Sequence, residues 1–183
     1  MQGDNLDLDL DLVDRAFKGD TEAFSELVEK YQKPIYYMAL RMLANHEDAA
    51  DIAQQTFINA FRALSRFRRQ ASFKTWIYQI AMNLSRNCIK ERTRKPLFQD
   101  IEEAEVIDSR PTPLDSLNDK SHADQVSRAI GKLPDQQRAT VILRVYEDYS
   151  YEQIADTLGC AVATARGNYH HGILALRKMM EGT

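Results

Sequence analysis

One short segment of the chain combines cationic side chains with aromatic rings. Residues 67–95 hold eight of the 24 Lys and Arg residues, a single acid, Glu91, and the only tryptophan, Trp76. Cations neutralise phosphates and aromatic rings stack on unpaired bases, so this composition suits a nucleic-acid strand. The whole chain is nevertheless acidic, and its net charge of −3 argues against tight binding to DNA by the free protein.

The other reactive residues form no recognisable catalytic or metal site. The two cysteines, Cys88 and Cys160, lie far apart, and no pair of histidines lies at a useful helical spacing from either of them. The sequence contains no glycine-rich phosphate loop, and its carboxylates, cysteines and histidines lack a workable catalytic spacing. We therefore predict no metal, no other cofactor, no small-molecule substrate and no enzymatic activity.

Charge is arranged in blocks along the chain. Residues 1–14 carry five aspartates, and residues 96–124 carry eight acids against two bases. The N-terminus lacks the basic head and apolar core of a signal peptide, and no apolar run approaches the roughly 20 residues that span a bilayer. These features predict a cytoplasmic protein.

The elements that must position these residues are helical. The periodicity predicts an all-α protein: two small helical domains joined by an acidic flexible linker, the second domain a helix-turn-helix. The predicted boundaries are 1–95, 96–121 for the linker, and 122–183. The run LDLDLDL has no partner strand, so we expect a frayed acidic tail that leads into a helix from about Asp11. Pro34 is expected to bend or break the second helix.

Buried faces in the first domain follow from helical spacing. Asp20 is the predicted N-cap of the second helix, and Ser72 that of a fourth helix that runs to about Arg94. The expected buried residues are Ala23, Phe24, Leu27, Val28 and Tyr31 in the second helix, Ala50, Ala53, Phe57, Phe61 and Leu64 in the third, and Phe73, Ile77, Ile80, Ala81 and Leu84 in the fourth.

The second domain contains the helix-start and helix-stop residues that are typical of a helix-turn-helix. Pro134 lies where a helix can begin, Ser150 and Gln153 make a capping box, and Gly159 suits the left-handed residue that ends a short helix. A tight turn and a longer helix follow. The expected apolar faces are Ile154, Ala155 and Leu158, and then Val162, Ala165, Tyr169, Ile173, Leu176 and Met180.

Five segments occur in order along the chain: RAFKGDTEAFSELVEKY, DAADIAQQTFINAFRALSRFR, SFKTWIYQIAMN, LPDQQRATVILR and YSYEQIADTLGCAVATARGNYHHGILALRK. In this order they resemble the extracytoplasmic-function (ECF) sigma factors, small bacterial transcription initiation factors of the sigma-70 superfamily. The resemblance implies a non-enzymatic protein that directs core RNA polymerase to promoter DNA. The first domain would read and open the minus-ten element, and the second would read the minus-thirty-five element. It also implies an anti-sigma partner, which in many relatives is membrane-anchored.

The resemblance assigns roles to the cationic segment. The loop 68–72 matches one that holds a base flipped from the non-template strand, and the polar side of the fourth helix would grip the strand. Trp76 fits either this role or a buried position. The expected minus-ten residues are Arg68, Arg69, Gln70, Ser72, Lys74, Trp76, Asn83, Arg86, Asn87 and Lys90.

Two other surfaces are assigned in the same way. The exposed face of the third helix is an ordinary solvated face by pattern alone, whereas the resemblance implies docking on the clamp helices of the largest polymerase subunit. Its residues are Asp48, Asp51, Gln54, Gln55 and Arg62, with Gln55 where the family usually has an acid. The linker is a disordered spacer by composition, and the resemblance implies a path through the polymerase interior.

The expected minus-thirty-five residues lie on the last helix and are Thr164, Arg166, Gly167, Asn168, His170 and His171. Gly, Asn and His at 167, 168 and 171 replace the family's common Ser, Arg and Arg, so phosphate binding should weaken and the sequence read should change. Ala161 provides no side-chain cap for this helix. For His170 and His171, a pH-dependent role and a purely polar surface role both stay open.

Two alternative functions remain at this stage. One is a sigma-like regulator that no longer starts transcription, motivated by the altered recognition helix. The other is a response regulator with a helix-turn-helix output, which requires an upstream phospho-acceptor sheet. The first ninety residues show no strand pattern for such a sheet.

Overall fold

The computed structural model describes residues 3–67, 71–94 and 125–181, with side chains from residue 9 onward, and contains only helices and turns within them. The predicted all-α class is confirmed. The helices are α1 (Gly3–Phe17), α2 (Thr21–Leu43), α3 (His46–Ala63), α4 (Phe73–Arg94), α5 (125–131), α6 (Asp135–Val145), α7 (Tyr151–Leu158) and α8 (Val162–Glu181), with a 3-10 turn at Leu64–Arg66. We call α1–α4 the first half and α5–α8 the second half.

The second helix, α2, is the centre of the first half and packs against α1, α3 and α4. Its predicted N-cap is confirmed: an Asp20 carboxylate oxygen accepts from the backbone N–H groups of Glu22 and Ala23 at 3.0 and 3.2 Å. The expected core of α2 is buried, with Val28 half-buried. A regular apolar stripe and a satisfied N-terminus therefore suffice to specify this helix.

The predicted start of the first helix is wrong. The acidic run is part of α1, which begins at Gly3 and not near Asp11. Asp9 is buried there, accepting from Lys30 Nζ at 2.6 Å and from the Tyr31 hydroxyl at 2.5 Å. These contacts with α2 neutralise a carboxylate on the packed face. Pro34 lies inside α2, which continues from Thr21 to Leu43, so of the predicted bend or break the break does not occur. Buried side chains on both sides of Pro34 hold the helix against the core.

The buried faces of α3 and α4 differ in part from the expected ones. Ala50 and Phe61 on α3 are exposed, and 53% of Phe61 remains accessible, because the buried line instead follows Ala49, Ala53, Thr56, Phe57 and Ala60. In α4, Phe73, Ile77 and Ala81 are buried as expected, while Ile80 and Leu84 are only half-buried. A second buried line on α4 consists of Tyr78, Met82 and Ser85.

The two halves are in contact, because α7 packs against α4 and α6 packs against α2. Tyr78 donates through its hydroxyl to a Glu147 carboxylate oxygen at 2.5 Å. Arg138 donates to the Met42 carbonyl at the end of α2, at 2.7 Å. Burial lowers the pKa of the Arg138 guanidinium. The Arg41 guanidinium lies 4.0 Å from the ring centroid of Tyr146.

The helix-turn-helix prediction is confirmed in α7 and α8. The Ser150–Gln153 capping box is formed, and Gly159 ends α7 with φ 64°, in the left-handed region that glycine adopts without strain. Ile154, Ala155 and Leu158 are buried, as are Ala165 and Leu176; Val162, Tyr169, Ile173 and Met180 are half-buried. Gly172 lets α8 approach α6, because an added Cβ would lie 2.8 Å from Val141 Cγ2.

Candidate nucleic-acid and protein interfaces

The start of α4 is fixed by a side-chain cap. Ser72 Oγ accepts from the Thr75 backbone N–H at 3.1 Å and lies 2.9 Å from the Thr75 hydroxyl oxygen. The predicted N-cap is therefore confirmed, and the hydroxyl that was expected to line a base pocket is engaged within the helix. Residues Arg68, Arg69 and Gln70 of the expected pocket lie outside the described residues.

The tryptophan of α4 belongs to an aromatic cluster. Trp76 is half-buried, with its ring centroid 4.8 Å from that of Phe67 and 5.7 Å from that of Phe73. Phe73 in turn lies 5.7 Å from Tyr31 in the core of the first half. The cluster holds Trp76 in place and leaves part of its surface accessible. Sequence reasoning missed Phe67, although its position directly before the cationic loop was an available signal.

The remaining minus-ten candidates on α4 fall into two groups. Asn83, Asn87 and Lys90 are exposed on one side of the helix, and Arg86 is half-buried. Lys74 lies apart from them, against the second half. Its Nζ donates to the Glu147 carbonyl at 3.3 Å and lies 4.9 Å from the Tyr149 ring centroid. The structure therefore brings three polar residues into one strip and does not bring Lys74 into it.

The face of α3 combines polar and apolar residues. Asp51, Gln54, Gln55 and Arg62 are exposed, and Gln55 Nε2 donates to Asn59 Oδ1 at 2.8 Å. Asp48 is half-buried in an ion pair with Arg92 of α4. Sequence reasoning missed Ile58, which is exposed on this helix together with Phe61. Had the buried face of α3 been predicted along Ala49, Ala53 and Ala60, helical spacing would have placed both residues outside it.

The recognition helix α8 presents most of its candidates to solvent. Thr164, Arg166, His170 and His171 are exposed, whereas Gly167 and Asn168 are half-buried. The two histidine rings have centroids 5.8 Å apart. An added Cβ at Gly167 would contact nothing within 4 Å, so helix packing does not require this glycine. The arrangement offers hydrogen-bond donors and acceptors of the kind that read base edges and phosphates.

Two residues of α7, both missed from the sequence, lie beside Arg166. Its guanidinium is 5.4 Å from the Tyr151 ring centroid, and that of Arg144 is 5.3 Å from the same ring. The pKa of the Glu152 carboxyl is lowered, first by its own backbone N–H and the Ser150 side chain, with the charges of Arg166 and Arg144 adding to the effect. Tyr151 and Glu152 could have been suspected only once α7 and α8 were placed side by side.

No group of three or more His, Cys, Asp and Glu side chains in the described part of the chain is placed to hold a metal ion. Burial raises the pKa of the Cys88 thiol, which keeps it protonated. Among the described helices, none has the length and apolar character needed to cross a membrane.

Comparison with known families and proteins gives consistent matches along the chain. The family described as Sigma-70 region 2 matches residues 27–95, and the family described as Sigma-70, region 4 matches residues 123–176. The RNA polymerase sigma-H factor of Pseudomonas aeruginosa is 36% identical over 182 residues, which cover 94% of each chain. The ECF RNA polymerase sigma factor SigW of Bacillus subtilis is 33% identical over 173 residues, covering 89% of this chain and 91% of that protein.

Two solved structures are similar in fold. CnrH in complex with the cytosolic domain of CnrY has a TM-score of 0.74 and 21% identity, covering 96% of this chain and 98% of that chain. The sigma factor RpoE of Bartonella quintana in complex with the anti-sigma factor NepR has a TM-score of 0.70 and 21% identity, covering 86% and 96%. At this identity the likeness concerns the fold alone.

Proposed function

Because the chain belongs to the ECF sigma factors of the sigma-70 family, which direct core RNA polymerase to promoters, we propose how its two halves divide that work. Residues 1–95 bind core polymerase and the minus-ten element, residues 96–121 form an acidic linker, and residues 122–183 read the minus-thirty-five element. The observation that carries this division is the presence of separate exposed polar surfaces on α4 and α8. In this proposal the protein has no enzymatic activity of its own and acts in the cytoplasm.

The minus-ten surface is the exposed strip of α4 together with the cluster around Trp76. Asn83, Asn87 and Lys90 offer donors and one charge to a strand, and the accessible part of the Trp76 ring offers a stacking platform. Each captured base contributes about 1–3 kcal/mol, whereas each opened base-pair step costs about 1.4 kcal/mol in stacking. These terms nearly cancel, so the strip traps strands that polymerase helps to open.

The polymerase-binding surface is the outer face of α3. The Asp48–Arg92 ion pair ties the start of α3 to the end of α4, so the two helices present their surfaces as one unit. The exposed apolar residues Ile58 and Phe61 add contact area beside Asp51, Gln54, Gln55 and Arg62. A face that mixes large apolar and polar side chains is better suited to a protein partner than to DNA.

The minus-thirty-five surface is the exposed face of α8. Arg166 supplies the forked donor that suits a guanine edge, while Thr164, His170 and His171 suit phosphates and other base edges. An anti-sigma factor is proposed as a further partner, because two similar folds were solved with the cytosolic domain of CnrY and with the anti-sigma factor NepR.

Run-off transcription with purified core polymerase tests this division. The template is a promoter recovered by sequencing DNA bound to the holoenzyme. Exchange of Asn83, Asn87 and Lys90 for alanine should keep core binding and abolish most open-complex formation, read by permanganate reactivity. Lys132→Ala, which removes an exposed cation from the second half, is the control and should behave as wild type. Normal permanganate reactivity in the triple variant would refute the minus-ten assignment, and core binding without any transcript from the wild-type protein would favour a regulator that does not initiate.

A further inference from the structure

The first residue of α7, Tyr151, contacts two arginines. The Tyr151 ring has the guanidinium of Arg166 at 5.4 Å from its centroid and that of Arg144 at 5.3 Å. It also meets the ring of Tyr169, on α8, edge to face at 6.0 Å. One half-buried ring thus connects α6, α7 and the recognition helix α8.

Tyr151 and Arg144 are held by contacts that do not involve DNA-facing groups. The capping box fixes the first turn of α7: the Ser150 backbone N–H donates to Gln153 at 2.8 Å, and the Gln153 N–H donates back to Ser150 Oγ at 3.2 Å. Arg144 Nη1 donates to the Tyr149 carbonyl at 2.7 Å. The ring that faces Arg166 is therefore set by the fold before any DNA is bound.

Arg166 differs from these neighbours because it is exposed. An exposed arginine samples many rotamers, and binding that fixes one of them costs conformational entropy. The face of Tyr151 attracts the guanidinium, and the Glu152 carboxylate, whose pKa the Arg166 charge helps to lower, attracts it from the same turn of α7. Both interactions favour one orientation of the side chain in the free protein.

We propose that Tyr151 is a positioning residue for sequence reading, which holds the Arg166 guanidinium over its ring so that the donor fork is oriented before DNA arrives. This inference rests on the proposed minus-thirty-five role of Arg166. A cation–π contact at an exposed site corresponds to a factor of about two to five in an equilibrium constant, so removing the ring face should weaken promoter binding by about two- to fivefold. The affinity for the correct minus-thirty-five sequence should fall more than the affinity for other sequences, because the affected residue, Arg166, reads bases.

A purely structural role for Tyr151 makes a different prediction. Half-burial against Tyr169 means that truncating the ring also removes packing between α7 and α8. Such a loss would lower stability and weaken binding to every sequence equally, whether or not Arg166 is present. The two roles are therefore separated by coupling to Arg166 and by sequence discrimination.

The test is a double-mutant cycle measured on the holoenzyme. Binding is followed with a promoter duplex recovered from the holoenzyme and with the same duplex carrying a scrambled minus-thirty-five element. Tyr151→Phe keeps the ring and should match wild type. Tyr151→Leu and Tyr151→Met, which keep apolar bulk without a ring face, should each lose about two- to fivefold on the promoter and little on the scrambled duplex. In the Arg166→Ala background, Tyr151→Leu should cause no further loss.

Any one of four results would overturn the inference. Equal losses from Tyr151→Leu with and without Arg166 would show that the residue acts through packing, and equal losses on both duplexes would show the same. A loss in Tyr151→Phe as large as in Tyr151→Leu would exclude the ring face as the cause. If Arg166→Ala itself leaves promoter binding and discrimination unchanged, the proposed role of Arg166 fails and this inference fails with it. Thermal melting of each variant checks that α7 and α8 remain folded.

Discussion

The Tyr78 hydroxyl group donates a hydrogen bond to Glu147 across the two halves. We predict that this single bond couples the stability of the first half to that of the second. Tyr78 is fully buried on α4, and Glu147, in the turn before α7, is 9% exposed. Their oxygens are 2.5 Å apart. Tyr78→Phe removes this donor while the ring contact with Tyr149, at 5.6 Å between centroids, can remain.

The expected loss follows from the kind of bond that is removed. A hydrogen bond to a charged group contributes about 1.5–3 kcal/mol, so Tyr78→Phe should lower the free energy of unfolding by about 2 kcal/mol. Tyr36→Phe is the matched control, because its hydroxyl contacts His46 Nδ1 at 2.7 Å in an exposed pair within the first half. That variant should lose about 1 kcal/mol or less.

Urea unfolding measures both losses, and the fluorescence of Trp76, the only tryptophan, reports on the first half. Glu147→Gln completes a double-mutant cycle with Tyr78→Phe, and the two changes should be non-additive because they act on one bond. Additive losses, or a Tyr78→Phe variant as stable as wild type, would refute the coupling of the halves through this contact.

Two further predictions concern positions on α8 and α2. Gly172→Ala should destabilise the protein, because the new Cβ would lie 2.8 Å from Val141 Cγ2. Gly167→Ala places its Cβ in open space and should stabilise the helix by up to about 1 kcal/mol. Thermal melting of both variants measures the two opposite changes in stability. The pKa of Asp20 is lowered, first by the Ala23 backbone N–H, so its contribution to stability is present above the unfolded value of about 4 and is lost as pH falls through the lower folded value. Asp20→Asn should therefore lose less stability than wild type between pH 6 and pH 3, and equal losses in the two proteins would contradict this.

The sequence alone predicted a helix correctly where its capping residues and its apolar stripe lie within the helix itself. The core and N-cap of α2, the capping box of α7 and Gly159 all follow from residues within one or two turns of each other. The exposure of Arg166, Thr164 and the two histidines likewise follows from the apolar stripe of α8. These features depend on spacing along one helix, which a sequence displays directly.

Features that depend on distant partners were missed. Asp9 can lie in a helix on a packed face because Lys30 and Tyr31 meet it from α2, 21 and 22 residues away. The buried Tyr78 of α4 meets Glu147 from the second half, and the Tyr151–Arg166 contact joins two helices whose relative placement no local period specifies. In each case the deciding interaction comes from another element, so propensity and period were overridden by tertiary context.

The placement of Lys74 has a consequence for the order in which the protein can act. Lys74 is half-buried and Tyr78 is fully buried beneath the Glu147–Tyr149 turn, so a molecule that is to contact Tyr78 must first displace that turn. The free energy of that displacement subtracts from the affinity of whatever binds there. Mutations that weaken the contact between the two halves should thus raise the affinity of a molecule that binds this side of α4. Mutations that strengthen the contact should lower that affinity.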